Sequence, residues 1–99
     1  MTADEYLEEI RGLVPGIRDR VGECEQGRRI PHATVKEFKE TGVLRALQPR
    51  SWGGSEIDPL SFYEGVALVG QACPSSAWFL GVVGVHTVSY THLTLPTNA

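Results

Sequence analysis

His86, Trp78 and two cysteines are the side chains of this 99-residue sequence whose types and positions bear most directly on chemistry. His86 closes an apolar run over residues 77–85. A polar ring at the end of such a run must find a hydrogen-bond partner or line a cavity. It is either a hydrogen-bonded core histidine or a group that meets a ligand, and a neutral imidazole can donate to or accept from a hydroxyl. Trp78 and Phe79 in the same run are core residues first and ring-stacking candidates second. Ser75 and Ser76 have no base beside them in sequence and are read as helix N-cap groups, not nucleophiles. His32 falls in a first helical turn, where the helix dipole disfavours a cation, so it is read as a solvated surface histidine. Cys24 and Cys73 lack metal-ligand spacing, and free, reduced thiols are expected, with a disulfide as the minority alternative. No catalytic residue and no metal ligand set is assigned, and no glycine-rich phosphate loop is present.

The elements that would position these groups are helical. Thr2 and Glu5 form a capping-box pair. Tyr6, Ile10, Leu13, Ile17 and Val21 then recur as one apolar stripe. Pro15-Gly16 is expected to kink or split that helix near Val14. After a polar break around Gln26-Gly27, a second helix runs from about Pro31 to Thr41, with Val35 and Phe38 inward, Lys36, Glu37, Lys39 and Glu40 solvated, and Gly42 as its C-cap. A third, from about Pro59 to Ala72, starts on Asp58 as N-cap with Pro59 at the first helical position and buries Phe62, Val66 and Val69. A fourth runs from about Ser76 through His86. It is apolar on every face and must be covered on every face. Three other helices, each with a polar side, cannot enclose it: a domain of this size buries roughly 60% of its unfolded surface. Each large side chain left outside forfeits roughly 1.5–3 kcal/mol. The helix is therefore read as built to pack against further protein.

Composition excludes several classes. The net charge is −3, which gives nothing for nucleic acid to bind. The acidic start (Asp4, Glu5, Glu8, Glu9) has no signal-peptide pattern, and the longest apolar run is far short of the about 20 residues a membrane span needs. A cytoplasmic protein is expected.

The stretch from Leu47 to Gly54, Leu-Gln-Pro-Arg-Ser-Trp-Gly-Gly, runs an apolar helix end (Val43, Leu44, Leu47) into Pro49, which cannot continue a helix, and then through Trp52 to two glycines that suit positive φ or close approach. Read without context, it could equally be an ordinary corner with its aromatic tucked underneath. With the Asp58-Pro59 helix start, it resembles the N-terminal helical domain of the acyl-CoA dehydrogenase superfamily. Ile17-Arg18-Asp19-Arg20, Arg28-Arg29-Ile30-Pro31, Leu47-Gln48-Pro49 and Gly84-Val85-His86 occur in the order and spacing of the oxygenase components of two-component, reduced-flavin-dependent aromatic hydroxylases. Within them, the chain is most similar to the steroid-catabolic phenol hydroxylases. The resemblance covers about Tyr6 to His86 and is most specific at Leu47 to Gly54 and Ala77 to His86.

The resemblance implies an all-α, truncated N-terminal piece of the acyl-CoA dehydrogenase fold over residues 1–87. The parent would hydroxylate a phenolic ring with oxygen and reduced flavin, FMNH2 or FADH2, delivered by a separate flavin reductase, and would assemble as a homotetramer. It also implies that His86 faces the phenol, with Trp78 as a second substrate-binding candidate. The flavin would be held by regions outside this segment, so its binding residues are unknown here and the fragment is expected to carry none and to be inactive. The alternatives are an acyl-CoA dehydrogenase oxidising a thioester, against which Leu47-Gln48-Pro49 and Gly84-Val85-His86 speak, and a non-enzymatic helical interaction module, against which the all-apolar fourth helix speaks.

Residues 88–99 read differently. Val-Ser-Tyr-Thr-His-Leu-Thr-Leu-Pro-Thr over residues 88–97 is what one frame of a common transposase-type sequencing adaptor encodes. This tail, His92 included, is read as non-native and set outside the fold.

Overall fold

Thr2 and Glu5 start the first helix reciprocally. The Glu5 amide donates to Thr2 Oγ1 at 3.2 Å, and the Thr2 amide donates to Glu5 Oε1 at 2.8 Å. The computed structural model describes residues 1–27 and 29–97, with side chains as far as His86. Among the described residues the regular structure is entirely helical: α1 (Ala3–Asp19), α2 (Val21–Gly27), α3 (His32–Thr41), α4 (Pro59–Ala72) and α5 (Pro74–Thr97), with single 3-10 turns at Val43–Arg45 and Arg50–Trp52. The all-α expectation holds.

The core is a stack of three helices, α1 on α4 and α4 on α5. The stripe read from sequence supplies α1's side of it, with Tyr6, Ile10 and Ile17 fully buried and Leu13 and Val21 half-buried. Phe62 and Val69 of α4 and Leu80 of α5 complete the centre. Phe38 of α3 is also fully buried and lies parallel to Phe79 of α5, with ring centroids 6.2 Å apart.

Pro15 does not split α1. The helix runs unbroken to Asp19, and the break falls at Arg20. Pro15 and Arg11, whose carbonyl the proline ring leaves without its amide partner, are both exposed. That missing bond therefore lies on the solvent side, where it costs least. Arg20 at the break is used structurally: its guanidinium donates to Thr34 Oγ1 at 2.8 Å and to Glu37 Oε1 at 2.7 Å, pinning α3 to the α1–α2 junction. Glu37, expected to be solvated, is half-buried because of this pair.

The apolar segment before Pro49 is not a helix end. Gly42, in the left-handed region at φ 83°, has already terminated α3, and Val43–Arg45 is a 3-10 turn that buries Val43, Leu44 and Ala46 next to it. α5 begins at Pro74, earlier than expected, because proline fits the first helical position and Cys73 precedes it. It also continues beyond His86 through Thr97, into residues set outside the fold on sequence grounds. Neither glycine nor proline occurs between Thr87 and Leu95 to stop it. Side chains from residue 87 onward, that of His92 among them, lie outside the described residues, as do residues 98–99.

Candidate functional site

The corner from Leu47 to Gly54 is stapled from both sides. Arg45 donates through Nη2 to the Trp52 carbonyl at 2.7 Å and through Nε to Gln48 Oε1 at 3.0 Å. The chain then doubles back: the amides of Ser55, Glu56 and Ile57 donate to the carbonyls of Arg45, Gln48 and Ala46 at 3.2, 2.9 and 3.0 Å. The two glycines divide the roles foreseen for them. Gly53 takes the left-handed conformation at φ 82°, and at Gly54 a Cβ would overlap the Gln48 carbonyl. Trp52 is not tucked underneath; it is about half exposed. The corner delivers the chain to Asp58, whose Oδ2 accepts from the Ser61 amide at 2.9 Å and starts α4. The Ser61 amide and side chain hold the Asp58 carboxyl below its ordinary value.

With α4 and α5 placed, an open groove of about 440 Å³ forms on their outer face. Trp78, Val82 and His86 line it from α5, and Tyr63 and Val66 line it from α4. Trp78 and His86 are eight residues apart on one face of the helix, so about 12 Å of helix separates them. The structure thus brings both sequence-stated candidates to one surface. Trp78, read as a core residue first, is 71% exposed here, whereas its neighbour Phe79 turns inward onto Phe38. His86 is exposed and is among the residues that line the open groove.

Sequence reasoning missed Tyr63. It is 50% exposed and sits edge-on to Phe62, with ring centroids 5.3 Å apart. The available signal was its register: it stands one residue off the stripe of Phe62 and Val69, which are buried, and Val66, which was expected to be buried but is half-buried at the groove wall. Nor did the sequence reading place Cys24 beside Cys73. Both thiols are free and buried, with the two sulfurs 3.7 Å apart. Ser75 and Ser76 are not N-caps; Cys73 occupies the position before Pro74, and the Ser76 hydroxyl donates to its sulfur at 3.3 Å. His32 is exposed, as expected.

The residues of the groove wall are mostly apolar, and their polar side-chain groups are the Tyr63 hydroxyl, the Trp78 indole N–H and the His86 imidazole. Among the described residues no cluster of three or more His, Cys, Asp or Glu side chains could hold a metal ion, and no helix is long and apolar enough to cross a membrane.

No family model matches the chain. It is, however, 41% identical over 80 residues to the flavin-dependent monooxygenase oxygenase subunit HsaA of Rhodococcus jostii, a match covering 81% of this chain and 21% of that protein. Its identity to HsaA of Mycobacterium tuberculosis is 40% over 84 residues, covering 85% of this chain and 21% of the relative. The oxygenase component of p-hydroxyphenylacetate 3-hydroxylase from Acinetobacter baumannii is 33% identical over 81 residues, covering 82% and 19%. The crystal structure of the M. tuberculosis HsaA monooxygenase superposes with a TM-score of 0.83 at 40% identity, over 87% of this chain and 24% of that one. The chain therefore spans about a fifth of the length of the relatives it matches, and over that span its helical fold, of acyl-CoA dehydrogenase type, matches that of the M. tuberculosis HsaA monooxygenase.

Proposed function

We infer that this chain is a portion of the oxygenase component of a flavin-dependent aromatic monooxygenase, and that the α4–α5 groove forms part of the wall of its phenol site. What carries the reading is the joint match in sequence and fold, 40% identity with a TM-score of 0.83. The groove supports it from the residues upward. An imidazole at one end can hydrogen-bond a phenolic hydroxyl, and the Trp78 and Tyr63 rings offer apolar faces along it. The flavin, when bound elsewhere in the parent, supplies the oxygen chemistry; this segment's contribution is to orient the ring and exclude water. A separate reductase delivering FMNH2 or FADH2, a homotetrameric assembly and a cytoplasmic setting belong to the same reading, as does a non-native origin for residues 88–99.

A chimera tests it. Residues 6–86 of this chain would replace the matching segment of M. tuberculosis HsaA. The purified product is then assayed with a flavin reductase for hydroxylation of the substrate that HsaA takes. Turnover within about tenfold of the unmodified enzyme is expected, since segment and host share the fold. A chimera that folds and binds flavin but consumes reductant without hydroxylating would overturn the reading.

A further inference from the structure

Cys24 and Cys73 lie 49 residues apart in sequence, yet the fold sets their sulfurs 3.7 Å apart where both residues are about 2% exposed or less. Neither lines the groove. A disulfide needs sulfurs about 2.04 Å apart. The remaining gap, about 1.7 Å, is within reach of small side-chain rotations at two residues that already face each other. Their surroundings differ. Cys73 immediately precedes α5 in the run Cys73-Pro74-Ser75-Ser76, where free helical amides favour a negative sulfur. Burial works against charge on Cys73, but the Ser76 hydroxyl and amide, the Cys24 thiol and the Ser75 amide outweigh it and hold that thiol below its ordinary value. Burial, then the neighbouring Cys73, pushes the Cys24 thiol up. Ser75, which hydrogen-bonds toward both thiols, is itself exposed.

We propose that Cys24 and Cys73 form a reversible oxidative modification site, closing as an intramolecular disulfide with hydrogen peroxide as the oxidant. The Cys73 thiolate attacks one peroxide oxygen; the O–O bond breaks, a sulfenic acid forms, and the leaving hydroxide takes a proton to become water. The Cys24 sulfur then attacks the Cys73 sulfur, the S–O bond breaks, and the Cys24 proton leaves with the hydroxyl as a second water. Two thiols and one peroxide give one disulfide and two waters. The new bond ties α2 to the junction of α4 and α5.

The test uses the 99-residue chain, fully reduced and then exposed to hydrogen peroxide under native conditions, with free thiols, intact mass and linked peptides read after alkylation in denaturant. Both thiols should disappear together, the mass should fall by two hydrogen atoms, and a peptide bearing Cys24 should be joined to one bearing Cys73. Dithiothreitol should restore both. The oxidised chain should melt at least about 5 °C higher, because a long loop is closed. In denaturant, linkage should be at least about tenfold slower, since the fold supplies the proximity. Cys24→Ala should leave a Cys73 sulfenic acid that dimedone traps, whereas the Cys24 thiol of Cys73→Ala should survive the same exposure. Sulfinic acid without linkage, linkage only between chains, or equal rates in folded and denatured protein would each overturn the proposal. Wild-type data decide the matter even where a variant fails to fold.

Discussion

Tyr6 on α1 donates its phenolic proton to the Phe62 carbonyl on α4 at 2.8 Å, and its ring stacks on the Phe62 ring with centroids 5.8 Å apart. Both side chains are fully buried, and 56 residues of sequence separate them. One tyrosine therefore supplies a directional bond and a packing surface at the centre of the core.

Tyr6→Phe should keep the stacking and lose the bond, costing about 0.5–1.5 kcal/mol. The variant should also change the alkaline limb of stability. Burial pushes the Tyr6 phenol well above the ordinary tyrosine range. The unfolded chain releases that proton near pH 10, so the folded state binds more protons above that pH and stability falls as pH rises further. In Tyr6→Phe this contribution is absent, and urea midpoints between about pH 9 and 11 should decline less steeply than in the wild type. Parallel slopes would show that the buried phenol does not set the alkaline limit.

A pair of glycine substitutions separates packing from helix propensity. At Gly65 an added Cβ would run into the Tyr6 ring, which its bond to Phe62 holds in place. Overpacking of this kind costs about 1–3 kcal/mol, more than the roughly 1 kcal/mol gained from helix propensity. Gly12 is exposed on α1 with no heavy atom near the position of an added Cβ. Gly12→Ala should raise the melting temperature by a few degrees and Gly65→Ala should lower it, measured under identical conditions.

Most of the helical frame was legible because local chemistry decides it. The Thr2–Glu5 box, the Tyr6, Ile10 and Ile17 stripe, and the Asp58-Pro59 start each satisfy a helix end or one face without help from distant residues. The break at Arg20 was not legible, because it depends on Thr34 and Glu37 from another helix. The outward turn of Trp78 was hidden for a different reason. A helix that is apolar on every side carries no sequence signal of which side its neighbours cover. The approach of Cys24 to Cys73 is long-range packing, which neither residue's neighbours in sequence encode.

That all-apolar helix has a measurable consequence. Leu60, Tyr63 and Trp78 are 73%, 50% and 71% exposed on α4 and α5. The isolated chain should be helical by circular dichroism, bind hydrophobic dyes and self-associate as its concentration rises. Tyr63→Gln with Trp78→Gln should reduce dye binding severalfold while leaving the melting temperature within a few degrees, because neither side chain is in the core. A large loss of stability would mean instead that these rings support the fold.

The reading of residues 88–99 as adaptor-derived is tested by resequencing the locus from intact genomic DNA. The codons after Thr87 should change to a different coding sequence that continues the helix. Recovery of the same codons would show that α5 is native as far as Thr97, where its helical backbone extends.

His86 offers the sharpest test of the groove. It is exposed and lines the same wall as Trp78 and Tyr63. In the HsaA chimera, His86→Asn should therefore leave the melting temperature and flavin binding nearly unchanged. If the ring hydrogen-bonds the phenol, substrate binding should weaken. A neutral hydrogen bond contributes about 1 kcal/mol and one to a phenolate roughly 1.5–3, so the loss should be about five- to a hundredfold. Hydroxylation should slow with it, and more hydrogen peroxide should be released per reduced flavin consumed, since a poorly oriented ring lets oxygen reduction outrun transfer. A role confined to the helix surface would leave both the binding constant and the peroxide yield at the parent chimera's values. Measuring peroxide yield, substrate affinity and melting temperature on one preparation separates the outcomes, because only contact with the phenol moves the first two without the third.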